Sequence, residues 1–412
     1  MQNYNHQQKI IDADPIKRGL FLGTGSGKTR TVLQLARGKT LVICPKTIRD
    51  EKTWGREMMS LLLFNLKITD LVVLSKEDFK KQADTLERFD TVIADEAHTV
   101  SGIHPATFQK NYVKYPKTSQ IYAKLVYYIA KTKPQRVYLL TATPMPNPMV
   151  VYGLGTILGY RWDFFKFRDM FYWEKARNIW LVKKGKDEKE KLAKIVNNIG
   201  EIGRLEDFFD VPEQTYKNHY VESTIPQRTL VKELQLEYPD PLVQLGKRHQ
   251  LEQGIYDGKN IKENKTKVIE QYLQEFKKVI VFAKYTAQIK YYEEYFKDKY
   301  NTLVLTGATK NRDILFESAR EAKECIFIVQ SSISAGWELP DFPCMLFASE
   351  SFSYVDREQG EGRILRANHL KKNLYVTLIC GQTDKKVREN IANKEDFVEH
   401  MHAENLIRSS KL

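Results

Sequence analysis

Short apolar runs alternate with longer amphipathic stretches along this chain. "GLFLG" (19–23), "TLVIC" (40–44), "LVVLS" (71–75), "TVIAD" (91–95) and "RVYLLT" (136–141) have the length and apolar, β-branched content of strands. "KVIVFA" (278–283), "TLVLTG" (302–307), "CIFIVQ" (325–330), "CMLFAS" (344–349) and "NLYVTLIC" (373–380) form a second set. Runs that are apolar throughout belong to strands covered on both faces, and helical spacers between them predict βα units and parallel sheets. The expected fold class is α/β, with two five-strand sets in tandem. Strand signals fade between them, across roughly 160–265. "GYRWDFFKFRDMFYWEKARNIW" mixes aromatic with basic residues there, and "KKGKDEKEKLAKIVNNIGEI" is charged and helical in pattern. The expected division is therefore a first domain over 1–160, a mainly helical connecting region over 161–265 and a second domain over 266–412. Packing between helices accounts for the aromatic segment, and stacking on nucleic-acid bases is its alternative use.

Length and charge extend this picture. A chain of 412 residues exceeds what one core organises. Its 65 Lys and Arg against 52 Asp and Glu leave a formal charge of +13, which favours an anionic partner, nucleic acid being the commonest. Cys44, Cys325, Cys344 and Cys380 are scattered without a C-x-x-C pair, so core thiols in a reducing interior are expected rather than zinc ligands. The start, "MQNYNHQQKIIDADP", is polar and unlike a signal peptide, and no run approaches eighteen apolar residues. A soluble, cytoplasmic protein with no membrane partner is the expectation.

"FLGTGSGKTR" (21–30) follows the first strand and opens a helical pattern. Gly23, Gly25 and Gly27 let the backbone curl so that successive N–H groups face a phosphate, and the helix N-terminus adds its positive dipole end. Lys28 supplies a point charge to the terminal phosphates and the Thr29 hydroxyl can ligate Mg²⁺. The strict phosphate-loop pattern has Gly or Ala where this chain has Leu22, while the G-x-G-K-T core is intact. "TVIADEAH" (91–98) then brings Asp95 and Glu96 to the carboxyl end of a buried strand, where α/β sheets bind ligands. Asp95 is placed to hold Mg²⁺, and Glu96 to orient and deprotonate an attacking water. Arg363 and Arg366, in "EQGEGRILRANH" (358–369), stand three residues apart. A helix would put both on one face. Spacing alone fits a solvated basic helix as well as a pair facing phosphate.

With these residues in view, "DEAH", "GSGKT" upstream and "LTATP" (140–144) downstream resemble the first motor domain of helicase superfamily two. "VICPKTI" (42–48), "VIVFAKY" (279–285), "TGATKNRD" (306–313), "SSISAGWELPD" (331–341) and the Q-x-x-G-R-x-x-R pattern at Gln359 extend the similarity through both halves. The resemblance implies two tandem RecA-like P-loop domains with parallel sheets, using ATP and Mg²⁺ in a nucleic-acid-stimulated ATPase. It implies that Gln7 reads adenine, that Gly23, Thr24, Gly25, Ser26, Gly27, Lys28, Thr29 and Gln359 bind nucleotide, and that Thr29 and Asp95 hold the metal. Lys28, Glu96, Arg363 and Arg366 take the catalytic roles. Lys46, Thr47, Thr306 and Ser331 would grip a nucleic-acid backbone, and His98, Thr141, Thr143 and Gly336 would couple the two activities.

"LTATPMPNPMVVYGLGTIL", "GRLEDFFDVPEQTYKNHYVESTIPQRTLVKEL" and "LICGQTDKKVRENIANKEDF" resemble the SWI/SNF-like translocase branch, which favours DNA over RNA. Two departures stand out. Ala142 lies between Thr141 and Thr143 where that branch commonly has glycine, and Trp337 replaces a usual glycine, bringing a large ring near the expected backbone contacts. With no accessory module evident, a minimal, monomeric motor of the phage or prokaryote kind is expected, with accessory proteins supplying targeting. A DEAH-type RNA helicase and the motor subunit of a nuclease complex are the alternatives.

Overall fold

A computed structural model of the chain describes residues 3–50, 52–110, 113–176, 179–238, 241–333, 337–365 and 372–393. Gly336 and Arg366 lie outside the described residues. The chain divides into two compact units, Met1–Phe209 and Asp210–Leu412.

The strands of the first unit are β1 (Lys17–Leu22), β2 (Arg37–Cys44), β3 (Lys67–Ser75), β4 (Thr91–Asp95), β5 (Ile103–Lys110), β6 (Val113–Thr118), β7 (Arg136–Leu140), β8 (Tyr172–Ala176), β9 (Ile179–Val182) and β10 (Gly200–Gly203). Six of them form a parallel sheet in the order β10-β1-β7-β4-β2-β3. Side chains alternate across it. Phe21, Leu41, Ile43, Val92, Ala94, Val137 and Leu139 fill one core. Leu20, Leu22, Val42, Ile93, Tyr138 and Leu140 fill another on the opposite face. Burial on both faces is the physical source of the unbroken apolar runs.

The second unit repeats this architecture. It contains β11 (Gln214–Tyr220), β12 (Ile255–Tyr256), β13 (Lys259–Asn260), β14 (Lys278–Ala283), β15 (Thr302–Leu305), β16 (Cys325–Gln330), β17 (Cys344–Phe347) and β18 (Asn373–Ile379). The parallel sheet runs β11-β18-β17-β14-β16-β15. Val279, Val281, Ile326, Ile328 and Leu346 pack on one face, and Ile280, Phe282, Phe327, Val329 and Phe347 on the other. The α/β class and the two tandem parallel sheets are as expected, and all ten apolar runs are strands.

The region 161–265 differs from expectation. It contains helices Phe164–Phe171, Lys186–Ile199, Ile225–Glu237 and Pro241–Glu252, yet it also contributes a sixth strand to each sheet, and the boundary between the units falls inside it. β10, "GEIG", lacks an apolar run because its glycines make room for a neighbour: a Cβ at Gly200 would sit 2.5 Å from the Phe21 ring. β11, "QTYKNHY", is a polar edge strand with most of its residues exposed. Edge strands have no need of two apolar faces.

Three further features bear on the sequence reading, the first in agreement with it and the other two as corrections. Phe164, Phe167, Phe171 and Tyr172 are buried in the first unit's core and Trp162 packs against Gly155 and Phe167, so most of the aromatic segment is packing. Phe165 and Trp173 are exposed. Trp337 lies in the second core, only 3 % exposed, stacked near Phe282 and Phe316, with its indole N–H donating to the Ile333 carbonyl at 2.8 Å. Its ring therefore points inward, away from any backbone contact at the surface. Finally, β5 and β6 form an antiparallel hairpin directly after the DEAH segment, an element the apolar pattern missed.

The four cysteines are buried free thiols. Among the described residues no helix is long and apolar enough to cross a membrane, and no cluster of His, Cys, Asp and Glu could hold a metal by itself.

Candidate functional site

The first unit gathers most of the candidate residues at one edge of its sheet. β1, β7 and β4 are neighbours, with Leu20 opposite Leu140 and Leu140 opposite Asp95. Their carboxyl ends therefore deliver the glycine-rich loop, Thr141 and the Asp95–Glu96 pair side by side, where parallel sheets open a crevice.

Gly25 and Gly27 both sit at φ +82, the left-handed region that favours glycine. Gly27 caps helix Lys28–Leu35 without a side chain, so the positive end of the helix dipole faces the loop. Lys28 folds back over the loop and donates to the carbonyls of Leu22 (2.7 Å) and Gly23 (3.1 Å). The Ser26 hydroxyl donates to the Gly23 carbonyl at 2.7 Å. Two outside elements brace the curl. β10 accepts the Gly23 N–H at the Gly203 carbonyl, 2.8 Å away. Gln7, from helix Asn5–Ala13, accepts the Tyr4 N–H at Oε1 and donates from Nε2 to the Ser26 carbonyl at 3.2 Å. Gln7 is thus a buried strut beneath the loop. Next to it, Asn3, Tyr4, Asn5, His6, Asp207 and Phe208 line an open cleft of about 480 Å³. His6 stacks on Phe208 at 4.0 Å and contacts the Ser26 carbonyl at 2.9 Å.

Asp95 ends β4 and accepts the Glu96 N–H at 3.0 Å. Burial and the neighbouring Glu96 charge push its carboxyl up to about 7, against the pull of Lys28. The Trp54 indole N–H also favours the charged carboxylate. Glu96 adopts φ +48, turning the chain so that both acids reach the same crevice. Its carboxylate lies 3.5 Å from His98 Nδ1. That nitrogen is 2.8 Å from the Thr141 hydroxyl and 3.4 Å from that of Thr143. Burial, reinforced by Lys76, lowers His98 to about 4, so the imidazole is neutral at ordinary pH. Thr141 accepts the Thr143 N–H at 3.0 Å. Glu96, His98, Thr141 and Thr143 are therefore one contiguous polar chain. Lys46 is exposed and Thr47 half-buried on the short helix Lys46–Asp50, just past β2.

The second unit holds the remaining candidates. Thr306 follows β15 and Ser331 follows the adjacent β16, so both lie at one sheet edge, tied by a Gly307 N–H to Gln330 Oε1 bond of 3.2 Å. Thr306 donates its N–H to the Thr309 hydroxyl at 2.9 Å, and Ser331 is buried in a short turn. Gln359 lies on helix Tyr354–Glu361, which Arg357 anchors by ion pairs to Glu350 and Glu361. Arg363 is buried: Nε donates to the Gln359 carbonyl and Nη1 to the Trp337 carbonyl, each at 2.9 Å.

Several contributors carried no sequence signal. Gly203 braces the loop from a strand with no apolar pattern. Trp54 and Lys76 reach the acids from helices Thr53–Ser60 and Lys76–Gln82, Lys76 through a 2.9 Å bond to the Thr99 hydroxyl, which in turn donates to the Glu96 carbonyl at 2.6 Å. Only the G-x-G-K-T and D-E-A-H spacings were local enough to read.

Residues 264–368, within the second unit, match the model of the helicase conserved C-terminal domain. No curated protein matches the chain. Among solved structures, the Sulfolobus solfataricus SWI2/SNF2 ATPase core in complex with dsDNA is similar over 95% of this chain and 91% of that chain, at 16% identity and a TM-score of 0.39.

Proposed function

We propose that this protein is an ATP-hydrolysing motor that moves along DNA. The observation that carries the reading is the convergence of Lys28, Asp95 and Glu96 at one sheet edge, in a chain whose second unit includes a match to the helicase conserved C-terminal domain. A glycine-rich curl at a helix N-terminus fits a polyphosphate, and the buried acid pair beside it fits a divalent cation. Asp95 is raised because burial and Glu96 both oppose its charge, and a bound cation would reverse that balance. Thr29 and Asp95 would hold Mg²⁺, which would neutralise charge on the phosphate oxygens when bound.

Within this reading Lys28 leaves its loop carbonyls for the β- and γ-phosphates. Glu96 orients the attacking water and accepts its proton. Neutral His98 relays the state of Glu96 to Thr141 and Thr143. Gln7 braces the loop beside the adenine it reads, and the open cleft lined by Asn3, Tyr4, Asn5 and Asp207, next to the stacked His6 and Phe208, receives the base. Arg363 and Arg366 supply the second unit's phosphate contacts, for which guanidinium is suited by its permanent charge and bidentate geometry. Lys46, Thr47, Thr306 and Ser331 grip the nucleic-acid backbone, with Gly336 in the coupling set, so little sequence specificity is expected.

The test is ATPase activity with single-stranded DNA, duplex DNA, branched DNA and RNA side by side. Stimulation by DNA and not by RNA supports the reading. Stimulation by RNA alone favours the RNA-helicase alternative, and hydrolysis indifferent to every polynucleotide overturns it.

A further inference from the structure

The β5–β6 hairpin carries exposed aromatic and basic residues that the nucleotide site does not use. Phe108 and Tyr115 are paired across it and stack at 5.6 Å with an interplanar angle of 26°, yet they are 47 % and 44 % exposed. Val113 beside them is exposed as well. Two aromatic rings held open to solvent forgo the burial that normally accounts for such side chains. Lys110, Lys114 and Lys117 are exposed on the same ribbon, and residues 103–118 contain no Asp or Glu. Register places Lys110 opposite Val113, on the face that carries Phe108 and Tyr115.

The base of the hairpin is rigid and joins the catalytic loop. The Ser119 N–H donates to the Gly102 carbonyl at 2.7 Å, closing the ribbon, and the Ser119 hydroxyl caps helix Gln120–Thr132. One residue upstream, the buried Ser101 hydroxyl donates to the His98 carbonyl at 2.9 Å. Helix Pro148–Ile157, which follows Thr141 and Thr143, packs so closely there that a Cβ at Gly153 would meet the Ser101 carbonyl at 2.6 Å. A load on the hairpin therefore acts on residues adjoining His98.

We propose that this hairpin is a stacking platform for an unpaired DNA strand, tied to the nucleotide site through Ser101. This rests on the reading of the protein as a DNA motor. The aromatic pair offers a π-face to bases of any sequence, Lys110 and Lys117 on that face take neighbouring phosphates, and Lys114 on the other face adds to the ribbon's positive charge. Duplex DNA hides its base faces, so the aromatic contribution is confined to single strands.

The experiment compares the full chain with its Phe108→Ala/Tyr115→Ala and Lys110→Gln/Lys114→Gln/Lys117→Gln variants, using a labelled oligothymidylate and a blunt duplex of equal length. The aromatic double variant should lose about 10- to 100-fold in affinity for the single strand, from two lost stacking contacts, with duplex affinity within about twofold of the parent. The lysine variant should lower the slope of log K against log salt by about 2 on the single strand. Phe108→Tyr/Tyr115→Phe, which keeps both rings, should retain affinity. A thermal midpoint matching the parent shows that each variant is folded. If the parent binds the single strand and the aromatic double variant binds it equally well, the hairpin proposal falls and the motor reading stands. If the parent binds neither DNA, both fall.

Discussion

Each unit buries one aspartate near a lysine, and the two aspartates are driven in opposite directions. Asp95, in the first unit, is pushed up to about 7 by burial and Glu96. Asp384, in the second, is just as buried yet held down to about 2. Partners account for the difference. Asp384 receives Lys265 Nζ at 2.8 Å, Gln253 Nε2 at 2.7 Å and the Cys380 N–H at 2.9 Å, and His249 Nε2 lies 3.1 Å away. Lys265 also donates to Gln253 Oε1 and to the Ala348 carbonyl, each at 2.6 Å. The chain itself thus supplies the donors that Asp384 needs. Asp95 faces a second carboxylate, and its lysine is turned to the loop carbonyls. A buried acid provided with donors is part of the fold, whereas one set against another acid calls for a partner from outside.

The largest contrast should appear on replacing the acid beside each aspartate's site. Glu96→Gln removes the proposed general base, so nucleic-acid-stimulated turnover should fall by about 10²- to 10⁴-fold. Urea unfolding should show stability unchanged or raised, because a like charge beside Asp95 is gone. Turnover within tenfold of the parent would remove Glu96 from its proposed role.

Next in size is Lys265→Met. It leaves Asp384 buried without its main countercharge, and breaking a buried pair of this kind costs about 3–5 kcal/mol. Urea denaturation measures the loss. Lys28→Met, by contrast, should cost little stability and abolish turnover. If the two variants were equally unstable, the division between a structural and a functional lysine–aspartate pair would not hold.

What the sequence made legible follows from the same division. The phosphate loop and the DEAH segment are contiguous, so their chemistry is written in adjacent letters. The ten apolar strands were equally plain, since burial on both faces leaves no polar alternation. The Lys265–Asp384–His249 network spans 135 residues and exists only once helices Pro241–Glu252, Lys265–Phe276 and Gln382–Ala392 pack together. Edge strands β10 and β11 were hidden by glycine and polar residues. Pro105 and Pro116 concealed the hairpin, because proline argues against a strand unless the strand is an edge. Trp337 read as a surface departure because sequence records size but not direction.

A smaller effect separates the two networks by pH. Glu252 accepts the N–H groups of Thr383 and Asp384 at 3.0 and 2.8 Å, yet burial and the Asp384 charge push it up to about 7 from 4.5. A carboxyl raised in the folded state favours the protonated form. Its contribution is therefore fully present below about 4.5 and lost as pH rises through about 7. The urea midpoint of the second unit's transition should decline across that window, and Glu252→Gln should flatten the decline. An equal slope in the variant would assign the titration elsewhere.

The subtlest test concerns Trp54, whose indole N–H favours the charged form of Asp95 from a helix with no motif. Trp54→Phe keeps a ring in the core and removes only that N–H. Asp95 then loses a group that stabilises its carboxylate, and a proton competes better with a cation. Half-maximal ATPase should require up to several-fold more Mg²⁺, with kcat at saturating Mg²⁺ close to the parent, since a nearby neutral N–H that makes no full hydrogen bond contributes no more than about 1 kcal/mol. A purely structural role for Trp54 would instead lower the thermal midpoint and leave the Mg²⁺ dependence where it was. An unshifted Mg²⁺ curve in a stable variant would mean that Asp95 is tuned by Glu96 and Lys28 alone, and the contrast with the three-donor cage of Asp384 would become sharper still.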